Sequence, residues 1–279
     1  MLGRETPTRV SVQLARVGAD RPAYVVDEHA LHLTASTMKL VVLIAYLLAV
    51  RDGTVEPDLQ IAVHKDFPSS DGIHRFDVIE DQEDDLEPWR REHAPLWWLV
   101  ERMITHSSNL ATDLVIEAVG LDSVVAAAAH IDDEFRLRRW IDDVPGIRAG
   151  ILNQVSASAL ATTYQQLLAG ELLDVELATQ ALDLLARNTW NDEIPAGLPA
   201  GVTVAHKNGW DDDIRHDSGI VFPDDAPPYI LVVLTTGLDA DAAPLLIAAV
   251  SDWAWTNRHR LDETCTPPPD LVARLKTTS

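Results

Sequence analysis

Three short groups of residues hold side chains suited to nucleophilic acyl chemistry: Ser36-Thr37-Met38-Lys39, Ser107-Ser108-Asn109 and Lys207-Asn208-Gly209. A serine and a lysine three positions apart share one helix face. In a first helical turn the N–H of Ser36 has no intrahelical partner and can aim at an oxyanion, at the positive end of the helix dipole. Lys39 opens a very apolar run, and a desolvated amine beside a second cation can take a hydroxyl proton. The same pair also fits a helix cap beside a snorkelling lysine. Ser107 can relay a proton and Asn109 can hydrogen-bond a substrate amide, though a helix N-cap uses the same residue types. Lys207 can lower the pKa of Lys39 and attract an anion, and Gly209 lets backbone approach closely. A strand lysine ahead of a turn is the plainer reading of that group. Two of the chain's four lysines lie in these groups.

Elements must bring the groups together. Residues 8–17 alternate apolar and polar, which predicts a strand, and Ala23 to Val26 a second. Met38 to Val50 is apolar nearly all round and predicts a buried helix, stopped at Asp52-Gly53. Further helices are expected over 96–104 with Pro95 in the first position, 109–119 ended by Gly120, and 123–130 capped by Asp122. Two more are expected over 156–169, capped by Ser156, and 175–187. Strands are expected over 202–207, 218–222 and 229–235, then an amphipathic helix over 242–257. Residues 64–94, with the acidic run Glu80 to Glu87, read as a solvated loop or as a lid over a site. Residues 131–155 read as an acidic loop and the tail after Pro267 as frayed. Two strands, many helices, three strands and a helix argue α+β rather than a doubly wound sheet. The expected architecture is one catalytic domain over 1–279. A lobe from 1–35 and 200–265 carries a five-stranded antiparallel sheet flanked by helices, 36–199 form an all-α lobe, and the site lies between them.

Composition narrows the function classes. The 279 residues carry 22 Lys+Arg against 44 Asp+Glu, a formal charge of −22. That surface repels phosphates, so neither nucleic acid nor an anionic membrane is an expected partner. It favours a soluble monomer. With 47% hydrophobic residues the chain can bury a core. Cys265 is the single cysteine, which excludes an intrachain disulfide and a cysteine zinc site. The histidines lack H-x-x-x-H spacing on a predicted helix, so no metal or cofactor is expected. The first residues lack a basic segment followed by an apolar stretch, so the chain as encoded is expected to be cytoplasmic.

The order S-x-x-K, S-x-N, K-x-G resembles the class A β-lactamase and penicillin-binding-protein family. The likeness extends to the helix after Lys39, to Leu110–Val115, to Ala159–Thr163, and to the strands Ser218–Val221 and Val232–Gly237, from about residue 9 to residue 257. The resemblance implies that Ser36 is the acylated nucleophile and Lys39 its base or base-partner. It implies that Ser107 shuttles a proton to the leaving group, Asn109 positions substrate and lysine, and Lys207 supplies positive potential. Asn208 and Gly209 would bind substrate, and the oxyanion hole would be the N–H groups of Ser36 and Trp210.

The departures bear on function. Arg139-Trp140 resembles the start of the family's omega loop, but Ile141 stands where its water-activating glutamate is expected. Asp142 or Asp143 can replace that carboxylate, with Asp142 the candidate; both also read as exposed loop residues. Ser108 replaces the middle Asp of S-D-N, Asn208 the usual hydroxyl residue of K-T-G, and Ser218 an arginine that helps hold the β-lactam carboxylate. Arg215 can substitute for that arginine, or pair with Asp211 to Asp213. The expected activity is a serine hydrolase acting through an acyl-enzyme on a β-lactam or related cyclic amide or ester. The alternatives are an acyl-enzyme trap that does not turn over, and an esterase or acyltransferase without β-lactamase activity.

Overall fold

A computed structural model describes residues 7–79 and 85–276. Its centre is an antiparallel sheet of β1 (Arg9–Arg16), β2 (Tyr24–Val26), β3 (Thr203–Asp211), β4 (Ile214–Phe222) and β5 (Tyr229–Thr236), in the order β3-β4-β5-β1-β2. The N-terminal hairpin thus docks beside the last strand, with Val12 opposite Val233 and Val26. Period-two geometry divides β5 between two cores. Ile230, Val232 and Leu234 enter the core shared with the helical lobe, while Tyr229, Leu231 and Val233 enter a second core under α8. Covered on both faces, β5 reads as a continuous apolar run rather than an alternation.

The helices are α1 (Lys39–Arg51), α2 (Leu96–Thr105), α3 (Asn109–Val119), α4 (Leu121–Ile131), α5 (Val144–Arg148), α6 (Ala157–Ala169), α7 (Val175–Ala186), α8 (Ala242–Thr256) and α9 (Pro269–Lys276). α1 packs against α2, α3, α4 and α7. Every residue from Lys39 to Leu47 is buried, so this helix meets solvent only at its last turn. Each buried Leu, Ile or Val there contributes about 1.5–3 kcal/mol. The head of the helix buries the Lys39 amine, a polar group that an interior tolerates only when it is hydrogen-bonded. Among the described residues side-chain caps start four helices: Ser108 accepts from Ala111 N–H, Asp143 from Gly146 N–H, Ser156 from Ala159 N–H and Asp174 from Leu177 N–H.

Several expectations are corrected. α4 opens after Gly120, so Asp122 lies inside its first turn. Pro95 is extended and pairs with Gln60 instead of starting α2. β3 runs on through Asp211, which places Lys207-Asn208-Gly209 inside a strand. The 64–94 segment is not simply solvated. Asp66–Pro68 pairs with Arg75–Asp77, and the buried Phe67 stacks 5.6 Å from the Trp140 ring. Residues 80–84 of the acidic run lie outside the described residues. The tail is not frayed over α9, because Leu271 and Leu275 bury in the core under α8. Among the described residues no single helix is long and apolar enough to cross a membrane.

Candidate active site

Ser36 lies in a 3-10 turn, Ala35–Met38, and α1 starts directly behind it at Lys39. The Lys39 side-chain nitrogen is the hub. Nζ lies 3.0 Å from Ser36 Oγ, 2.7 Å from Asn109 Oδ1, 2.5 Å from the Ser107 carbonyl and 3.2 Å from Ser107 Oγ. The carbonyl and the amide oxygen can only accept, so they take two N–H groups. When the amine is neutral its lone pair then faces the two serine hydroxyls, the arrangement a general base requires.

Ser107 joins the hub to the sheet. Its hydroxyl also lies 3.1 Å from Lys207 Nζ, so one oxygen bridges two lysines. Burial first, and the Lys39 charge second, hold Lys207 well below the usual lysine range. Two ammonium groups around one hydroxyl in a closed site are costly, so the proton count of the pair is set jointly. The backbone on both sides is strained. Ala35 at φ +42° and Ser107 at φ +60° sit in the left-handed region without being glycine. Such conformations cost on the order of 1–3 kcal/mol each and persist where the surroundings dictate them.

β3 closes the other side. A Cβ on Gly209 would lie 2.7 Å from Ser36 N, 3.0 Å from Thr37 N and 3.2 Å from Ala35 Cβ. Only glycine lets this strand lie against the turn that carries Ser36. Trp210 follows, its ring 4.7 Å from Trp190, which donates to the His106 carbonyl at 3.2 Å. Two indoles therefore stand together beside the Ser107 turn.

The loop before α5 brings the carboxylates. Asn109 Nδ2 donates to Asp142 Oδ1 at 3.2 Å, so Asp142 is joined to Ser36 through two side chains. Asp143 is different. It is fully buried and accepts from Ser69 Oγ at 2.6 Å, Ser70 N at 2.7 Å and Gly146 N at 2.8 Å. It caps α5 and anchors the 66–77 hairpin, so it is neither exposed nor open to a water. Asp113 on α3 accepts the Ile141 N–H at 3.0 Å. Asn153 receives the amides of Arg138 and Arg139, and its Nδ2 reaches Met38 Sδ at 3.3 Å. The loop is thus tied to the hairpin, to α3 and to the Ser36 turn.

Two sequence expectations change. Asn208 is not a free substrate contact: it is buried, with Nδ2 on Glu193 Oε2 and Oδ1 receiving Asn188 and Lys207. Arg215 pairs with Glu193 at 3.5 Å rather than with Asp211 to Asp213, and lies 5.8 Å from the Trp210 ring. Burial, and then Asp217, push Glu193 up to about 8. Ser218 is buried opposite Lys207, and its hydroxyl donates to the Lys207 carbonyl at 3.2 Å. Asp113, Asn153, Glu193 and Trp190 were not singled out by motif. Of these, Asp113 alone carried a signal, its i+4 spacing from Asn109. Among the described residues no group of His, Cys, Asp and Glu is arranged to hold a metal.

Residues 2–257 match the family described as the β-lactamase enzyme family. A β-lactamase of Streptomyces fradiae is 31% identical over 159 residues, covering 54% of this chain and 51% of that protein. The chain spans about half the length of the curated relatives it matches. The class A β-lactamase of the last common ancestor of Gram-negative bacteria is a structural neighbour with TM-score 0.74 and 25% identity, covering 91% of this chain and 95% of that one. The structure of PBP-A is another, with TM-score 0.75 and 22% identity over 91% of each chain, a likeness of fold.

Proposed function

The chain belongs to the β-lactamase enzyme family and has the class A fold, and from that premise we propose that it is a serine hydrolase that opens β-lactam amides through an acyl-enzyme on Ser36. The observation that carries the reading is the Lys39 hub, one amine within 3.0 Å of Ser36 Oγ and within 3.2 Å of Ser107 Oγ. In acylation Ser36 Oγ attacks the carbonyl carbon and passes its proton to Lys39 Nζ. The N–H groups of Ser36 and Trp210 receive the oxyanion, and Gly209 keeps the two backbone segments in register. The ring C–N bond breaks as Ser107 gives its proton to the leaving nitrogen, and Lys207 and Lys39 replenish it. Lys207 also draws anionic substrates into an otherwise acidic protein.

In deacylation a water gives its proton to Asp142 and attacks the ester, and Ser36 regains its own proton through Lys39. Asp142 takes this role in place of the family's glutamate because its carboxylate touches Asn109, whereas Asp143 is committed to three donors. Both lobes then serve one catalytic unit, with the sheet supplying Lys207 to Trp210 and the helical lobe the rest. The test is a panel of nitrocefin, penicillins and simple esters with Ser36→Ala as control. Turnover of a β-lactam that falls by on the order of 10³-fold or more in Ser36→Ala supports the reading. Turnover confined to esters, or a lasting adduct without turnover, replaces it.

A further inference from the structure

Asp113 is an acid that the three motifs leave unused. It lies four residues after Asn109 on the same face of α3 and is fully buried. Oδ1 accepts the Ile141 N–H, and the Asp142 amide is also directed at the carboxyl group. Oδ2 has no hydrogen-bond partner. An ionised carboxylate in this place would strand half its charge in a dry interior. It would also sit beside Asp142, and two carboxylates sharing one closed site do not ionise together cheaply.

The charged groups that face it are Asp142 and Arg139 from the loop and Lys39 from α1. The two cations are engaged elsewhere. Lys39 bonds Ser36, Ser107 and Asn109, and Arg139 donates to the Trp140 and Ile141 carbonyls. Burial first, and Asp142 second, push Asp113 well above the usual carboxylate range, and the backbone amides and Lys39 oppose this less strongly. Of the two acids, half-buried Asp142 is the one that keeps contact with solvent.

We propose that Asp113 is a neutral carboxylic acid that positions Asp142, holding the 139–143 loop against α3 through the Ile141 amide without adding a second negative charge beside the deacylation base. Asp113 touches no reacting atom; it acts through Asp142, and its part in turnover rests on the function proposed above. Its protonation does not. As pH rises through the ionisation of Asp113, a second carboxylate forms beside Asp142, the loop is repelled from α3, and deacylation slows.

The experiment joins infrared spectroscopy with kinetics. Wild type at neutral pH should show a protonated-carboxyl C=O band that Asp113→Asn lacks. Asp113→Asn should keep the wild-type deacylation rate at neutral pH and lose the alkaline fall, because the amide copies the neutral acid's shape and acceptor. Asp113→Ala, which gives up the Ile141 contact, should deacylate on the order of 10²-fold more slowly. A missing band, an alkaline limb shared by wild type and Asp113→Asn, or an Asp113→Asn chain that fails to fold would overturn the proposal. A wild type that turns over no β-lactam sinks the proposed function instead, and the band still decides the state of Asp113.

Discussion

Replacing Gly209 by alanine adds one methyl group at the point where β3 meets the turn bearing Ser36. The new Cβ would lie 2.7 Å from Ser36 N, where ordinary contact begins at 3.4 Å, so the two backbones must part by about 0.7 Å. The atom it meets belongs to main chain, so no flexible side chain can yield. In the proposed mechanism the displaced atom also donates to the oxyanion. Misplacement by about 1 Å costs on the order of 10²-fold, so acylation by nitrocefin should fall roughly 10- to 100-fold, or about 1.4–2.7 kcal/mol in the barrier. Stability should fall by about 1–3 kcal/mol from overpacking. The assay is the second-order acylation rate, followed by intact mass, beside a urea melt of the same variant. The deacylation rate of the adduct that does form should change less, because Asp142 and Asn109 lie on the other lobe. A Gly209→Ala chain that acylates at the wild-type rate would refute the placement of Ser36 N–H in the oxyanion hole.

Asp142→Asn should leave acylation intact and slow deacylation by on the order of 10²-fold or more, so that an adduct accumulates in the mass spectrum; unchanged turnover would remove Asp142 from the mechanism. Asp143→Ala should cost about 1–3 kcal/mol in a urea melt, since it strands Ser69 Oγ and two amides and uncaps α5, with activity falling only as the loop loosens. Glu193 is held near 8 in the fold against 4.5 for the free residue, so between those values the folded state keeps a proton the unfolded state has lost. Stability from this group therefore falls as pH rises from about 4.5 to 8. Glu193→Gln should flatten that part of the Tm-against-pH curve, and a slope equal to that of wild type would place the proton elsewhere.

The placement of the site residues was legible in the sequence where one helix or one strand carries them. Ser36 and Lys39 meet because i and i+3 share a face, and the apolar run behind them is the helix that buries the lysine. β5 was legible for the same reason, since an uninterrupted apolar run bounded by turns must be covered on both sides. What the sequence withheld lies between elements. The orientation of Asn208 depends on Glu193, which arrives on the turn after α7, and no local pattern links the two. Asp142 and Asp143 are neighbours with opposite fates, and only the hairpin docking through Ser69 and Phe67 separates them. That hairpin is short and polar in sequence, so its two buried aromatic rings were the sole sign that it packs. The tail likewise reads as Pro-rich and polar, and α9 owes its place to two leucines four residues apart on one face.

Peptide mapping by mass spectrometry during nitrocefin or penicillin turnover locates the acyl group that the proposed mechanism puts on Ser36. A transient adduct is expected on the peptide containing Ser36, longer-lived in Asp142→Asn and absent in Ser36→Ala. An adduct on another residue, or β-lactam turnover that survives in Ser36→Ala, would contradict it.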